Sequence, residues 1–185
     1  MMTVTIRNGT TDGAIQYNGS DVIRVDSGRM YITPDNTPKL SVYLNASVAV
    51  TTTNTWQKSP LNAKSIDSTT AYDNVTNFRY TPLVAGYYMV AGGVYFNTAA
   101  GTTEAASAVY KNGVILLYGT DATLLSVTVD HISSVSGIVY LNGTTDYLEL
   151  WGKATFASTA PTFYAPANSA AQTSNFLSVN LIARA

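Results

Sequence analysis

The sequence predicts an all-β protein built as a sandwich of two stacked sheets, and three observations predict it. First, apolar segments of strand length recur between turn signals, and no useful window places apolar residues at helical spacing. Second, charged residues are 11% of the 185 residues while the hydrophobic set is 46%, so Thr, Ser, Asn, Gly and Tyr fill the places that charge usually takes. Those residues favour pleated strands and turns. Third, Asn-Gly pairs stand between apolar segments, and a type I′ hairpin turn needs positive φ at both central positions, which Asn and Gly supply most easily.

Taken in order, Pro34-Asp35-Asn36-Thr37-Pro38 is a polar connector. It divides a leading segment, residues 1–37, from a larger domain, residues 38–185. In the leading segment Asn8-Gly9 and Asn18-Gly19 flank Gly13-Ala14-Ile15-Gln16-Tyr17. Asp21-Val22-Ile23-Arg24-Val25-Asp26 and Arg29-Met30-Tyr31-Ile32 follow. These are short hairpin strands with little core, marginal on their own, so the segment is expected to pair with copies of itself or attach to a larger assembly. In the larger domain strands are expected at Leu40 to Val50, Phe78 to Tyr80, Tyr87 to Phe96, Ala105 to Tyr110 and Val114 to Tyr118. Further strands are expected at Leu124 to Asp130, Ser136 to Leu141, Tyr147 to Trp151 and Phe176 to Ile182. Lys111-Asn112-Gly113-Val114 is a strong hairpin signal, and Asn142-Gly143 does similar work before Asp146. Thr51-Thr52-Thr53, Gly101-Thr102-Thr103 and the Ala/Ser/Pro stretch from Ala157 to Ser174 read as loops.

The totals exclude several functions. The net charge is -1 and the ten Lys and Arg are scattered, so no footprint for phosphate backbones or anionic lipid is visible, and nucleic acid is not an expected partner. There is no cysteine, hence no disulfide framework, thiolate nucleophile or cysteine-held metal. No stretch approaches a membrane span, and the first residues lack the apolar run of a signal peptide. Synthesis in a cytoplasm, without membrane insertion, is the expectation. Low charge together with 13 Tyr suggests a surface partly covered by other subunits or used for contact.

One segment carries most of the argument. In Tyr87-Tyr88-Met89-Val90-Ala91-Gly92-Gly93-Val94-Tyr95-Phe96, side chains alternate between faces. Tyr88, Val90, Val94 and Phe96 share one face, and Tyr87, Met89, Ala91 and Tyr95 the other. Both are apolar, whereas a solitary antiparallel sandwich normally wets one of them. Another copy of the same sheet is the economical cover. Gly92 and Gly93 allow close approach, or equally mark a bulge or bend.

The ordered motifs Phe78-Arg79-Tyr80-Thr81-Pro82-Leu83-Val84-Ala85-Gly86-Tyr87-Tyr88, Ala108-Val109-Tyr110-Lys111-Asn112-Gly113, Ser136 to Leu141 and Asp146 to Leu150 resemble the C1q/TNF-like jelly-roll family. At the C-terminal Phe176 to Ile182, Leu177 stands where that family usually has an aromatic and Val179 where it has glycine. The resemblance covers about residues 40 to 185. It implies a ten-stranded jelly-roll β-sandwich, homotrimeric, with ligands taken on outer surfaces. Carried over by position, it places Met89, Ala91, Tyr95, Ile138 and Tyr140 at the trimer interface; the competing reading is that they line the sandwich core. The leading segment, Gly13 to Gly28, resembles openings of phage tail-fibre and other virion proteins. A collagen-like stalk is missing, which points to a virion rather than to a secreted protein.

Catalytic chemistry is not visible. His131 is the only histidine and reads as a strand-end or loop residue, because a catalytic or zinc role needs partners of fixed geometry. Asp35, Asp121 and Asp146 have ordinary turn duties, and no acidic cluster suggests calcium. No catalytic residue, metal or cofactor is expected, and Asn45-Ala46-Ser47 and Asn74-Val75-Thr76 read as accidental triplets. The expected role is a phage virion adhesion protein, a trimeric fibre or tail tip that binds a host-surface glycan or protein. Phe156, Phe163 and Tyr164 are the candidate ligand contacts, since flat rings suit sugar faces, and the leading segment would meet other virion proteins. A capsid decoration or head fibre without a dedicated ligand is the alternative, and a glycan depolymerase ranks third.

Overall fold

The computed structural model describes residues 37–124, 130–165 and 175–185 in full, and the backbone of four strands between residues 5 and 32. The chain forms two compact units, Met1–Thr37 and Pro38–Ala185. In the first, β1 (Thr5–Asn8), β2 (Gly13–Tyr17), β3 (Ser20–Asp26) and β4 (Arg29–Ile32) make an antiparallel sheet in chain order. Tyr17 pairs with Ser20, which leaves the length of a two-residue hairpin between β2 and β3. Gly9 and the Asn18-Gly19 pair lie outside the described residues.

The second unit is a sandwich of two antiparallel sheets. Its early strands are β5 (Lys39–Tyr43), β6 (Val48–Ala49), β7 (Gln57–Lys58), β8 (Ala63–Asp67), β9 (Tyr72–Asp73) and β10 (Arg79–Tyr80). The long strands are β11 (Ala85–Asn97), β12 (Thr102–Lys111), β13 (Val114–Thr123), β14 (His131–Asn142), β15 (Leu148–Phe156) and β17 (Phe176–Arg184), with the short β16 (Thr162–Phe163) before the last. One sheet runs β14-β11-β17-β5-β8, and β16 and β6 continue it beside the end of β11. The other runs β13-β12-β15-β10-β9, with β7 also paired to β15.

Several elements depart from the sequence reading for local reasons. The expected strand from Leu40 to Val50 is interrupted after Tyr43, because the Leu44 N–H donates to the Asn175 carbonyl at 3.0 Å and the Asn45 N–H to Asn62 Oδ1 at 3.0 Å. A strand from Leu124 to Asp130 is not formed at its ends; residues 125–129 lie outside the described residues. Instead β13 runs on to Thr123 and β14 starts early at His131. β7, β8 and β9 were not anticipated, since they are short and carry no apolar alternation, and β16 interrupts the expected Ala157 to Ser174 loop.

Between the sheets lies one core. The first sheet contributes Tyr88, Val90, Val94 and Phe96 from β11, Val139 and Leu141 from β14, Leu177 and Val179 from β17, and Leu40 and Val42 from β5. Facing them are Ala105 and Val109 of β12, Leu148 and Leu150 of β15, and Tyr80 of β10. The four β11 residues are 0% exposed, so one half of its alternation is spent here. Aromatic rings fill this core: Tyr80 meets Tyr88 across the gap with centroids 6.3 Å apart, and Phe96 meets its cross-strand partner Phe163 within the first sheet at 5.6 Å.

Gly152 shows how tight this contact is. A Cβ built there would lie 2.7 Å from Phe163 Cε1 and 3.0 Å from Phe96 Cζ and Val94 Cγ1. Gly152→Val is therefore expected to lower the unfolding free energy by about 1–3 kcal/mol through overpacking. Urea denaturation of the purified variant measures this, and unchanged stability would mean the rings can step aside.

Candidate functional site

The outward face of β11 and β14 is built by an unbroken register, from Ala85 opposite Asn142 to Phe96 opposite His131. Cross-strand pairing sets Tyr87 against Tyr140, Met89 against Ile138, Ala91 against Ser136 and Tyr95 against Ile132. Tyr87 and Tyr140 rings lie 5.5 Å apart. Exposure is 44% for Met89, 61% for Ile138, 44% for Tyr140 and 52% for Ile132. On β17, Ile182 adds 54%. The result is a contiguous apolar surface on the side of the sheet away from the core, a feature that single exposed hydrophobic residues do not produce.

The structure thus places Met89, Ile138 and Tyr140 together, outside the core. Ala91 and Tyr95 share the face but are half-buried. Beside Ala91, Phe176 lays its ring over Gly93, where an added Cβ would come within 2.7 Å of Phe176 Cε1. Close approach, rather than a bulge, is the use of this glycine, since the β11–β14 register has no shift there. Tyr95 ends in a polar cluster: its hydroxyl donates to Asp130 Oδ2 at 2.6 Å, Asn97 Nδ2 donates to Asp130 Oδ1 at 2.9 Å, and Tyr164 meets the ring edge-on at 5.1 Å. The hydrogen bond to Asp130 is the main cause that pushes the Tyr95 hydroxyl up to about 12. The apolar surface therefore gives way to a polar one along β11. Sequence reasoning left Ile132 and Ile182 unnamed, because their faces depend on strand starts and on a register shift between Tyr87 and Tyr88 that the sequence does not display.

The apolar surface continues around one edge of the sandwich. β13 ends the second sheet and closes against β14: the Ser133 hydroxyl donates to the Thr120 carbonyl, its oxygen is also hydrogen-bonded with Ser107 Oγ, and Gly137 makes room for Leu117. On that edge Val114 is 69% and Leu116 45% exposed. At the other border Lys111 Nζ donates to the Tyr140 carbonyl at 2.8 Å and pairs with Asp146 at 2.8 Å.

The three loop aromatics do not form one surface. Phe163 is 1% exposed and packs on Phe96, which corrects its reading as a ligand contact: β16 hydrogen-bonds to the end of β11 and turns this ring into the core. Phe156 is half-buried at the end of β15, where its N–H donates to Thr53 Oγ1 at 2.9 Å. Tyr164 is half-buried on Tyr95. Residues 166–174 of the same loop lie outside the described residues. Among the described residues no three His, Cys, Asp or Glu side chains are grouped as metal ligands. His131 opens β14 on the core side, with Nε2 buried and unpartnered, and burial lowers its pKa.

No protein-family model matches the chain, and no curated protein matches it. Solved structures do match. Eiger TNF from S. frugiperda is 11% identical, covers 80% of this chain and 94% of its own, and superposes with a TM-score of 0.57. Murine APRIL at pH 5.0 is 11% identical, covers 79% of this chain and 99% of its own, with a TM-score of 0.53. The fold is a TNF-like jelly roll. At this identity the likeness concerns the path of the jelly-roll backbone, and the site residues must be argued from their own surroundings.

Two outcomes follow from these placements. Phe163→Ala is expected to cost about 3–5 kcal/mol of stability, as for other buried aromatic truncations, without acting as a ligand-contact variant; a melt compared with that of Tyr164→Ala tests it. For His131, the folded pKa lies below the ordinary value of 6.5, so the unfolded chain binds more protons as acid is added. The stability contributed by the neutral ring is complete above that ordinary value and is lost as pH falls through the lower, folded one. Urea midpoints measured from about pH 7 to 5 should fall for the native chain and less for His131→Phe.

Proposed function

We propose that this chain is the subunit of a homotrimeric, non-enzymatic adhesion or structural domain of a bacteriophage particle. The apolar outward face of β11 and β14 carries this reading. A soluble sandwich gains by covering such a face, at about 25 cal/mol per Å² of apolar area removed from water. The apolar β13 edge lies around the corner, so the face of one copy can receive the edge of the next. Such face-to-edge contacts are heterologous and form a ring where the rotation between copies closes, unlike the self-matched contact of a twofold dimer. The TNF-like backbone supports three as the number.

Support for the virion setting comes from the leading segment, whose Gly13 to Gly28 stretch resembles tail-fibre openings, and from its organisation as a unit separate from the jelly roll. That unit would attach to other virion proteins, and the jelly roll would face the host. Adhesion to a host-surface glycan or protein is the role proposed for the jelly roll, and inhibition of phage adsorption by the purified protein tests it.

Mass measurement at micromolar concentration tests the assembly. The expected particle is three times 19.7 kDa, and Met89→Asp should give monomer or aggregate, because it buries a charge without a partner. A monodisperse monomer of the native chain would overturn the trimer, and an intact Met89→Asp trimer would remove this residue from the interface.

A further inference from the structure

The outward face of the second sheet carries a second aromatic layer, away from the proposed assembly face. Trp56, just before β7, meets Tyr118 of β13 edge-on at 5.5 Å and Tyr110 of β12 at 6.2 Å. Tyr110 stacks on Trp151 of β15 at 4.5 Å. Beneath them the sheet is made small. Ala108 pairs with Tyr118 on one side and Trp151 on the other, and Ala106 pairs with Asp121 and Lys153. Both alanines are 0% exposed although neither belongs to the core between the sheets.

Ionic pairs hold the rings in place. Lys58 pairs with Glu149 at 2.6 Å and stands 5.7 Å over Trp151, whose Nε1 donates to Glu149 Oε2 at 3.0 Å. Lys153 pairs with Glu104 and stands 5.7 Å over Trp56. The Tyr118 hydroxyl donates to Asp121 Oδ2 at 2.9 Å. Rings fixed by these contacts need little further ordering when a ligand arrives.

Covering Ala106 and Ala108 would not by itself leave a large ring in water, yet Tyr118 remains 51% exposed. Its ring stands beside carboxylate and ammonium groups that have lone pairs and protons to share. The two lysines are already matched by glutamates, so a strongly charged ligand finds no opposite field here. A neutral sugar fits: its C–H face lies on an aromatic ring and its hydroxyls reach the flanking polar groups. We propose that this face binds a neutral oligosaccharide, with Tyr118 as the stacking ring and the Glu104–Lys153 pair as hydroxyl partners. The proposal rests on the adhesion reading above and moves its contact surface from the loop aromatics to the β12–β13–β15 sheet.

The chain has only two tryptophans, Trp56 and Trp151, and both belong to this layer, so intrinsic tryptophan fluorescence reports on it alone. Titration of the full chain with neutral oligosaccharides of glucose, galactose and N-acetylglucosamine should give a saturable fluorescence change. Tyr118→Ala should weaken binding about three- to tenfold, the worth of one aromatic contact, and Glu104→Gln should weaken it while Tyr164→Ala does not. Circular dichroism checks that each variant is folded. A sugar that binds without a fluorescence change, or binding lost in Tyr164→Ala but kept in Tyr118→Ala, would overturn the site and leave adhesion standing. If no neutral sugar binds, the proposal fails. Adhesion is then judged separately, by whether the purified protein blocks phage adsorption to host cells.

Discussion

An antiparallel strand has two faces, and in β11 neither is suited to water. Its inner face, Tyr88 to Phe96, is fully buried against the other sheet, and within its own sheet the strand is paired on both sides, with β14 and β17. The other face inherits Tyr87, Met89 and Tyr95 from the same alternation. Pairing then spreads the pattern sideways, because each cross-strand neighbour on β14 takes the face of its partner. Met89 beside Ile138 and Tyr87 beside Tyr140 follow from register alone. The apolar surface is thus a consequence of strand geometry, and a change of one residue in register would turn it into the core.

The two sheets resolve their outward faces differently. On the β11–β14 side the face is left apolar and open, bordered by the Tyr95–Asp130 cluster and by Lys111. On the β12–β15 side, small residues are roofed by aromatic rings, and the rings are pinned by lysine–glutamate pairs. Exposed ion pairs of this kind add little stability individually; their stronger effect is to fix ring orientation. The first arrangement suits another copy of the chain, the second a smaller and more polar ligand.

Much of this was legible in the residue pattern, and the limits have physical causes. Alternation in Tyr87 to Phe96 sorted its side chains correctly, since a period of two needs no knowledge of neighbours. Lys111-Asn112-Gly113 marked its hairpin because Asn112 and Gly113 do adopt positive φ, at 54° and 81°. The short strands β7 and β9 were missed because they exist only as additions to longer ones: β7 is held by β15 and β9 by β10. Phe163 was misread for a related reason. In a stretch of Ala, Ser and Pro an aromatic looks free, but β16 is drawn onto the end of β11 and Gly152 leaves a hollow that the ring fills.

By itself, then, the sequence determined the all-β class, the long strands, and the two-sided character of β11, because these depend on local propensity and a short repeat. Tertiary structure alone decided which rings are core and which are surface. It gathered Trp56, Tyr110, Tyr118 and Trp151 from separate parts of the chain onto one sheet face. Such gathering depends on strand order and register across the sheet, which join residues far apart in the chain and leave no trace in the spacing between neighbours.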